Sequence, residues 1–437
     1  MNYYNLKDKE EIVNFRTASI KSQGKQKGLF FPDSVPQFDP EFIENLHLYS
    51  NEEIAFRCMK DFIGEEIPEE ILKEIVAETI NFAIPLKKIN ENISVLELFH
   101  GPTLAFKDVG ARFMSRCLSY FLKDEDKKVT VLVATSGDTG GAVAHGFYNV
   151  PGIHVVILYP KNRVSAVQEK QLTALGGNIS ALEVDGNFDD CQHLVKQAFS
   201  DENINSELFL TSANSINIAR WLPQQIYYLL ALKQWKQHEN LEPVISVPSG
   251  NFGNICAGLL AHFRGLPADH FIAACNENDV VPDYLKTQFY QPKKAVATLS
   301  NAMDVGDPSN FTRILELFGQ QFESLKEMIS GYSIDDDTTL QTIKEVHEKH
   351  GYILEPHGAV AFASLEQYLN ENPGKKGFIL GTAHPVKFPE AVEKAGNIKI
   401  GIPAALEDLM KKEKKTVEIH TDFEELKRFL LNKNQEQ

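Results

Sequence analysis

Four segments of this chain follow apolar, strand-like runs and carry residue types that could do chemistry. The first is Thr135-Ser136-Gly137-Asp138-Thr139-Gly140-Gly141, after the β-branched run Val129–Ala134 and before the helix-like stretch Gly141–Tyr148. Glycines let a backbone approach a ligand closely. Free N–H groups at a helix start, with hydroxyls beside them, suit a carboxylate or a phosphate. A tight turn capped by Ser136 or Asp138 is the plainer alternative. Three glycines interleaved with Thr, Ser and Asp favour a ligand loop. The second segment, Ser249-Gly250-Asn251-Phe252-Gly253-Asn254, has the same strand, glycine loop and helix context. It too fits an anion, although it spells neither a Walker loop nor a dinucleotide fingerprint. The third is His100-Gly101-Pro102-Thr103-Leu104-Ala105-Phe106-Lys107-Asp108. Lys107 lies beside Phe106 just before an amphipathic run, Val109–Leu122, which Asp108 would cap. A lysine that loses water there has a lowered pKa and becomes a nucleophilic amine, as a Schiff-base lysine needs. A surface lysine at a helix start is the alternative. The fourth is Leu380-Gly381-Thr382-Ala383-His384-Pro385-Val386-Lys387. His384, and His357 in Glu355-Pro356-His357-Gly358, are candidate acid/base groups or structural histidines.

The elements that must position these loops alternate. Strand-like runs at Ile153–Leu158, Ile179–Val184, Leu208–Thr211, Pro243–Val247 and Gly377–Leu380 are separated by helical patterns. Those include Ser165–Leu175, Asp189–Phe199, Ile216–Trp235 and Ile255–Phe263. Continuous apolar strands alternating with helices predict an α/β fold, with mostly parallel sheets and flanking helices. Ligands in such folds sit at the carboxyl ends of the strands, where the four segments lie. The stretch before about Asn92 reads differently, with Pro32, Pro36 and Pro40 followed by helices near Asn51–Ile63 and Pro68–Phe82. This divides the chain into an N-terminal unit (1–92, mixed α/β or helical), a large unit (93–108 and 201–437) and a smaller unit expected to be mobile (109–200).

Composition narrows the function. The chain has 437 residues, 43% hydrophobic and 24% charged, as expected of a folded globular protein. Its net charge of −16 and lack of a basic aromatic stripe argue against nucleic acid. No apolar run is long enough to span a bilayer, and Met1–Phe15 has no signal-like apolar region, so a membrane is not expected and the expected compartment is the cytoplasm. Five scattered cysteines without CxxC argue against disulfides and structural zinc, and no HExxH or GxSxG occurs. No metal is expected. Monomer and homodimer both remain open.

Six strings occur in order: HGPTLAFKD (100–108), TSGDTGGA (135–142), SANSINIAR (212–220), PSGNFGN (248–254), SNAMDVGDPSNFTR (300–313) and LGTAHPVKF (380–388). Together they resemble the threonine synthase family, within fold type II of the pyridoxal 5'-phosphate enzymes (tryptophan synthase β-like). The resemblance runs from Gly28-Leu29-Phe30-Phe31-Pro32 to about Ile400. It implies β,γ-replacement on O-phospho-L-homoserine with water, giving L-threonine and phosphate. It also implies that Lys107 holds the cofactor covalently and shuttles protons. Ser249, Gly250, Asn251, Phe252 and Gly253 would hold the cofactor phosphate, and Thr382 would bond the pyridine nitrogen. A neutral hydroxyl there makes the ring a milder electron sink. Ser136, Gly137 and Thr139 would grip the substrate carboxylate. Asp138 stands where many relatives of this fold type have asparagine, so it needs a proton or a different partner. Candidates for the substrate phosphate are Asn187, Asn214 and Arg220, with Lys161, Arg163, Asn310 and Arg313 on the same grounds. A related lyase acting on another phosphorylated or hydroxy amino acid would share Lys107 and the 249–253 loop. A binding protein without catalysis has no need of such a lysine.

Overall fold

A computed structural model describes residues 1–123, 128–396 and 398–435, with the side chains of 433–435 outside the description. Three sheets organise the described residues. The largest has the order Ile329–Ser333, His270–Cys275, Val244–Pro248, Gly377–Gly381, Ile93–Glu97 and Leu86–Lys88. All its pairings are parallel except that of Leu86–Lys88. A second, all-parallel sheet has the order Val417–Ile419, Ile179–Val184, Ile153–Pro160, Val129–Ala134 and Phe209–Thr211. The third is antiparallel: Asp8–Asn14, Asn2–Asn5 and Phe30–Pro32. The fold is therefore α/β, with mostly parallel sheets. Its strands Val129–Ala134, Ile153–Pro160 and His270–Cys275 are buried along their whole length and accordingly mostly apolar; the last of them is not among the strand-like runs read from the sequence.

Sheet membership cuts across the boundaries drawn from sequence. Leu86–Lys88 pairs in the large sheet although it falls within 1–92. Phe209–Thr211 and Val417–Ile419 pair in the second sheet although they fall within 201–437. The helix Phe423–Gln435 packs beside the helix Phe188–Ala198 on that same sheet. The N-terminal segment shares one apolar core with the rest, where Phe56, Met59 and Phe62 join a cluster with Trp221, Tyr228 and Leu229. Arg264, with no exposed surface, crosses this junction. Its guanidinium donates to Cys58 O at 2.7 Å and Pro36 O at 2.8 Å and lies over the rings of Phe38 and Phe62. Among the described residues no helix is long and apolar enough to cross a membrane.

Candidate active site

Three neighbouring parallel strands of the large sheet end side by side: Val244–Pro248, Gly377–Gly381 and Ile93–Glu97. Their carboxyl ends deliver the Ser249 loop, Thr382 and the loop carrying Lys107. Phe106 N donates to Thr382 O at 2.8 Å, and Ala105 bridges Ala383, so Lys107 sits directly beside Thr382 in space. Lys107 opens the helix Lys107–Leu122. It is half-buried, and loss of water around its amine lowers its pKa from the ordinary 10.5 to about 8. Asp138 pulls that value up, while Lys387 and Arg220 push it down. The residue before Lys107 caps the helix without a side-chain bond. Asp108 is thus not the cap expected of it. It lies inside the first turn, buried, and accepts from Thr103 N at 2.9 Å and Thr103 Oγ1 at 2.5 Å.

The Ser249 loop leads into the helix Gly253–Phe263, whose first turn has no side-chain cap. Its N–H groups are left for an anion. Phe252 turns the chain with φ +60°. Ser249 N donates to Ala274 O at 2.8 Å, and Asn251 Nδ2 donates to Ser215 Oγ at 2.7 Å. Asn214 lies in the same turn as that serine. A Cβ at Gly250 would come within 2.6 Å of Met303 Cα, so glycine alone fits beneath the 300–303 segment. Asn254 Nδ2, buried in that first turn, has no acceptor in the protein. An orphaned donor and an uncapped helix start beside a half-buried lysine fit a phosphorylated aldehyde cofactor.

Across from these ends is the 135–141 loop of the second sheet. Thr135 Oγ1 accepts from Gly137 N and Gly140 N, both at 2.9 Å, and shapes the loop. Gly137 has φ +134°, and a Cβ there would meet the Gln168 amide at 2.5 Å. Ser136 and Thr139 are half-buried at the start of the helix Asp138–Phe147, which also lacks a side-chain cap. Asp138 finds the different partner its presence demands. Its carboxylate accepts from Lys387 Nζ at 2.7 Å and Gln168 Nε2 at 2.9 Å. Burial would raise its pKa, but the charges of Lys387 and Lys107 and these hydrogen bonds hold it well below the ordinary carboxylate value.

The phosphate candidates separate. Asn187 is exposed and forms a capping box with Asp190 on the helix Phe188–Ala198. Lys161 is tied to Glu418 at 2.8 Å, and Arg163 is exposed. Arg313 spends its guanidinium on Phe30 O, Ile216 O and Asn310 Oδ1, and Asn310 donates to Asn251 O. Arg220 differs. It is 4% exposed, bonds Ala213 O, and keeps an Nε with no partner. It packs against Gly110, one turn into the Lys107 helix. His357 is locked to Glu355 at 2.5 Å and accepts from Ala302 N, and His384 Nδ1 accepts from Val386 N. Both histidines therefore brace loops. Sequence reasoning missed Lys387 and Gln168. The signal was Asp138 itself, since a carboxylate in an anion-binding loop requires a counter-charge.

Comparison with known proteins agrees with this geometry. Residues 80–380 match the family model for pyridoxal-phosphate dependent enzymes. Residues 2–80 and 358–430 match those for the threonine synthase N terminus and the threonine synthase C-terminal region. The chain is 47% identical over 433 residues to threonine synthase of Escherichia coli, covering 99% of this chain and 100% of that one. The chain belongs to the threonine synthase family. Its fold is that of the family's crystal structures: the Escherichia coli threonine synthase aligns with TM-score 0.92 at 47% identity, over 99% of this chain and 100% of that one. A PLP-bound threonine synthase from Brucella melitensis aligns with TM-score 0.91 at 34% identity, over 99% of each chain. As a member of the threonine synthase family the chain is a lyase that uses pyridoxal phosphate.

Proposed function

We propose that this chain carries out its family's reaction on O-phospho-L-homoserine and water, giving L-threonine and phosphate, with Lys107 as the catalytic residue. The observation that carries this is the half-buried Lys107 amine, set beside Thr382 and facing Asp138 of a glycine loop from the second sheet. Lys107 holds pyridoxal phosphate through its amine. Ser249, Gly250, Asn251, Phe252 and Gly253 hold the cofactor phosphate, the Asn254 amide adds a donor, and Thr382 bonds the ring nitrogen. When bound, the cofactor supplies an electron sink for charge developing at the substrate α carbon. Ser136, Gly137 and Thr139 take the substrate carboxylate on the uncapped start of their helix. Arg220 takes the phosphate, with Asn214 beside it, because a buried guanidinium without a counter-ion is costly until an anion arrives. Lys107, once its nitrogen is free, removes the α proton. The same amine then serves proton removal at the β carbon as phosphate leaves the γ carbon. It returns protons at the γ and α carbons, and water adds at the β carbon between these steps. A pKa near 8 suits an amine that both takes and gives protons near neutral pH. Water must enter only at that stage, and the placement of these groups between two sheets suits its exclusion.

The test is one assay. Full-length protein loaded with pyridoxal phosphate is incubated with O-phospho-L-homoserine, and threonine and phosphate are quantified together. Equal amounts of both are expected, and Lys107→Ala should abolish turnover and the yellow colour. Phosphate accompanied by a keto acid would instead identify a different lyase, and an active, yellow Lys107→Ala would refute the assignment of Lys107.

A further inference from the structure

Lys387 is a buried charge close to Lys107 that has no role in the scheme above. It has no exposed surface and follows Thr382 by five positions, in the short helical turn Pro385–Lys387. Among the described residues its ammonium contacts two different parts of the site. One is Asp138 Oδ1 at 2.7 Å, on the loop of the second sheet. The other is Thr103 O at 2.9 Å, on the loop that carries Lys107. The helix Ala166–Thr173 supports the same two points. Gln168 Nε2 donates to Asp138 Oδ1 at 2.9 Å, and Gln171 Nε2 donates to Thr103 O at 2.9 Å. Thr103 in turn holds Asp108, next to Lys107. One buried cation thus joins the glycine loop to the lysine loop.

We propose that Lys387 is a positioning residue of this active site, which holds the Asp138 carboxylate in place and so fixes the 135–141 loop against the loop carrying Lys107. Two requirements meet in this one ammonium. Asp138 brings a negative charge into a site that must accept a substrate with anionic groups, and Lys387 cancels it at contact distance. The 135–141 loop must also face the lysine at a set distance, and an ångström of misplacement at such a contact costs about 100-fold in rate. A buried pair of this kind costs little when both charges are removed together, but is strongly destabilising when one is left alone. The titratable groups facing Lys387 are Asp138, Asp108 and Lys107, with His145 and His384 near enough to feel its charge.

This inference rests on Lys107 carrying the cofactor, and its test separates the two. Full-length Lys387→Met, Lys387→Arg and the double variant Asp138→Asn with Lys387→Met are compared after loading with pyridoxal phosphate. Three quantities are read: the pH midpoint of the cofactor absorbance, the melting temperature, and kcat/KM per bound cofactor. Lys387→Met should remain yellow, shift the absorbance midpoint upward because Asp138 loses its counter-charge, and lose about 100-fold in kcat/KM. Lys387→Arg should keep the wild-type midpoint, and the double variant should regain most of the melting temperature lost in the single variant. A Lys387→Met protein with an unmoved midpoint and wild-type kcat/KM would overturn the proposal, even if it melted earlier, since a purely structural lysine behaves that way. Should Lys387→Met fail to fold, Lys387→Arg and the double variant decide. A yellow double variant that has lost kcat/KM while Lys387→Arg keeps it supports the proposal, and wild-type kcat/KM in both overturns it. Wild-type protein that takes up no colour would instead refute the role of Lys107.

Discussion

Lys107 illustrates how one side chain sets a pH dependence. Its pKa falls from 10.5 to about 8 on folding, chiefly because burial disfavours the charged form. The folded state therefore bears a cost for the charged amine that is fully present below about pH 8. That cost is relieved as pH rises from about 8 toward 10.5, because the unfolded chain then holds the proton more tightly. Cofactor-free Lys107→Met should accordingly melt higher than wild type at pH 7, and the difference should shrink by pH 10. Melting curves of both proteins at the two pH values check this, and equal differences at both would contradict it. Arg220 makes a second prediction at the same scale. Its unpartnered Nε should acquire a partner only when the phosphate ester binds. Arg220→Met should lose about 1.5–3 kcal/mol of substrate binding, roughly 10–150-fold in kcat/KM, while cofactor absorbance persists. Steady-state kinetics of the loaded variant measure it.

At the scale of elements, the site is made by two uncapped helix starts, and each depends on a glycine that no other residue replaces. Gly137 adopts φ +134° with the Gln168 amide 2.5 Å from where a Cβ would sit. Gly137→Ala should cost about 1–3 kcal/mol of stability and distort the loop that receives the substrate carboxylate. Gly250→Ala places a methyl 2.6 Å from Met303 Cα, and a backbone atom cannot step aside as a flexible side chain can. That overpacking costs about 1–3 kcal/mol, and it should appear as weaker uptake of pyridoxal phosphate in an absorbance titration. The two variants differ in readout because the first acts on substrate binding and the second on cofactor binding.

At the scale of the whole molecule, the second sheet is pinned to the large sheet through Lys387 and to the chain's end through Val417–Ile419. If the second sheet closes over bound ligand, protease protection in segments 135–141 and 412–420 should change. Limited proteolysis with and without a non-hydrolysable substrate analogue tests it, and identical patterns would argue against closure. The N-terminal segment is held differently, by apolar packing around Arg264. Arg264→Ala leaves the Cys58 and Pro36 carbonyls unpaired beside a cavity and should cost about 3 kcal/mol in denaturant unfolding.

The sequence by itself determined the parallel α/β class, because strands buried on both faces must be continuously apolar, as Val129–Ala134 and Ile153–Pro160 are. Its spacing also placed the glycine loops after strands, and its ordered strings pointed to the family. Weaker or shorter strands were not legible. Asp8–Asn14 is charged, Ile329–Ser333 holds a central glycine, and Val417–Ile419 has only three residues, so each is a strand because of its neighbours and not its own pattern. For the same reason the division of 201–437 from 109–200 could not be read, since strand pairing joins residues remote in sequence. Only the tertiary structure could tell Arg220 from Arg313. Both are buried arginines after polar strings, but Arg313 has its hydrogen bonds satisfied by backbone 97 and 283 positions away, and Arg220 keeps an idle Nε. The partner of Asp138 lay equally out of reach, because Lys387 is 249 positions further on and the contact exists only once two separate sheets face each other.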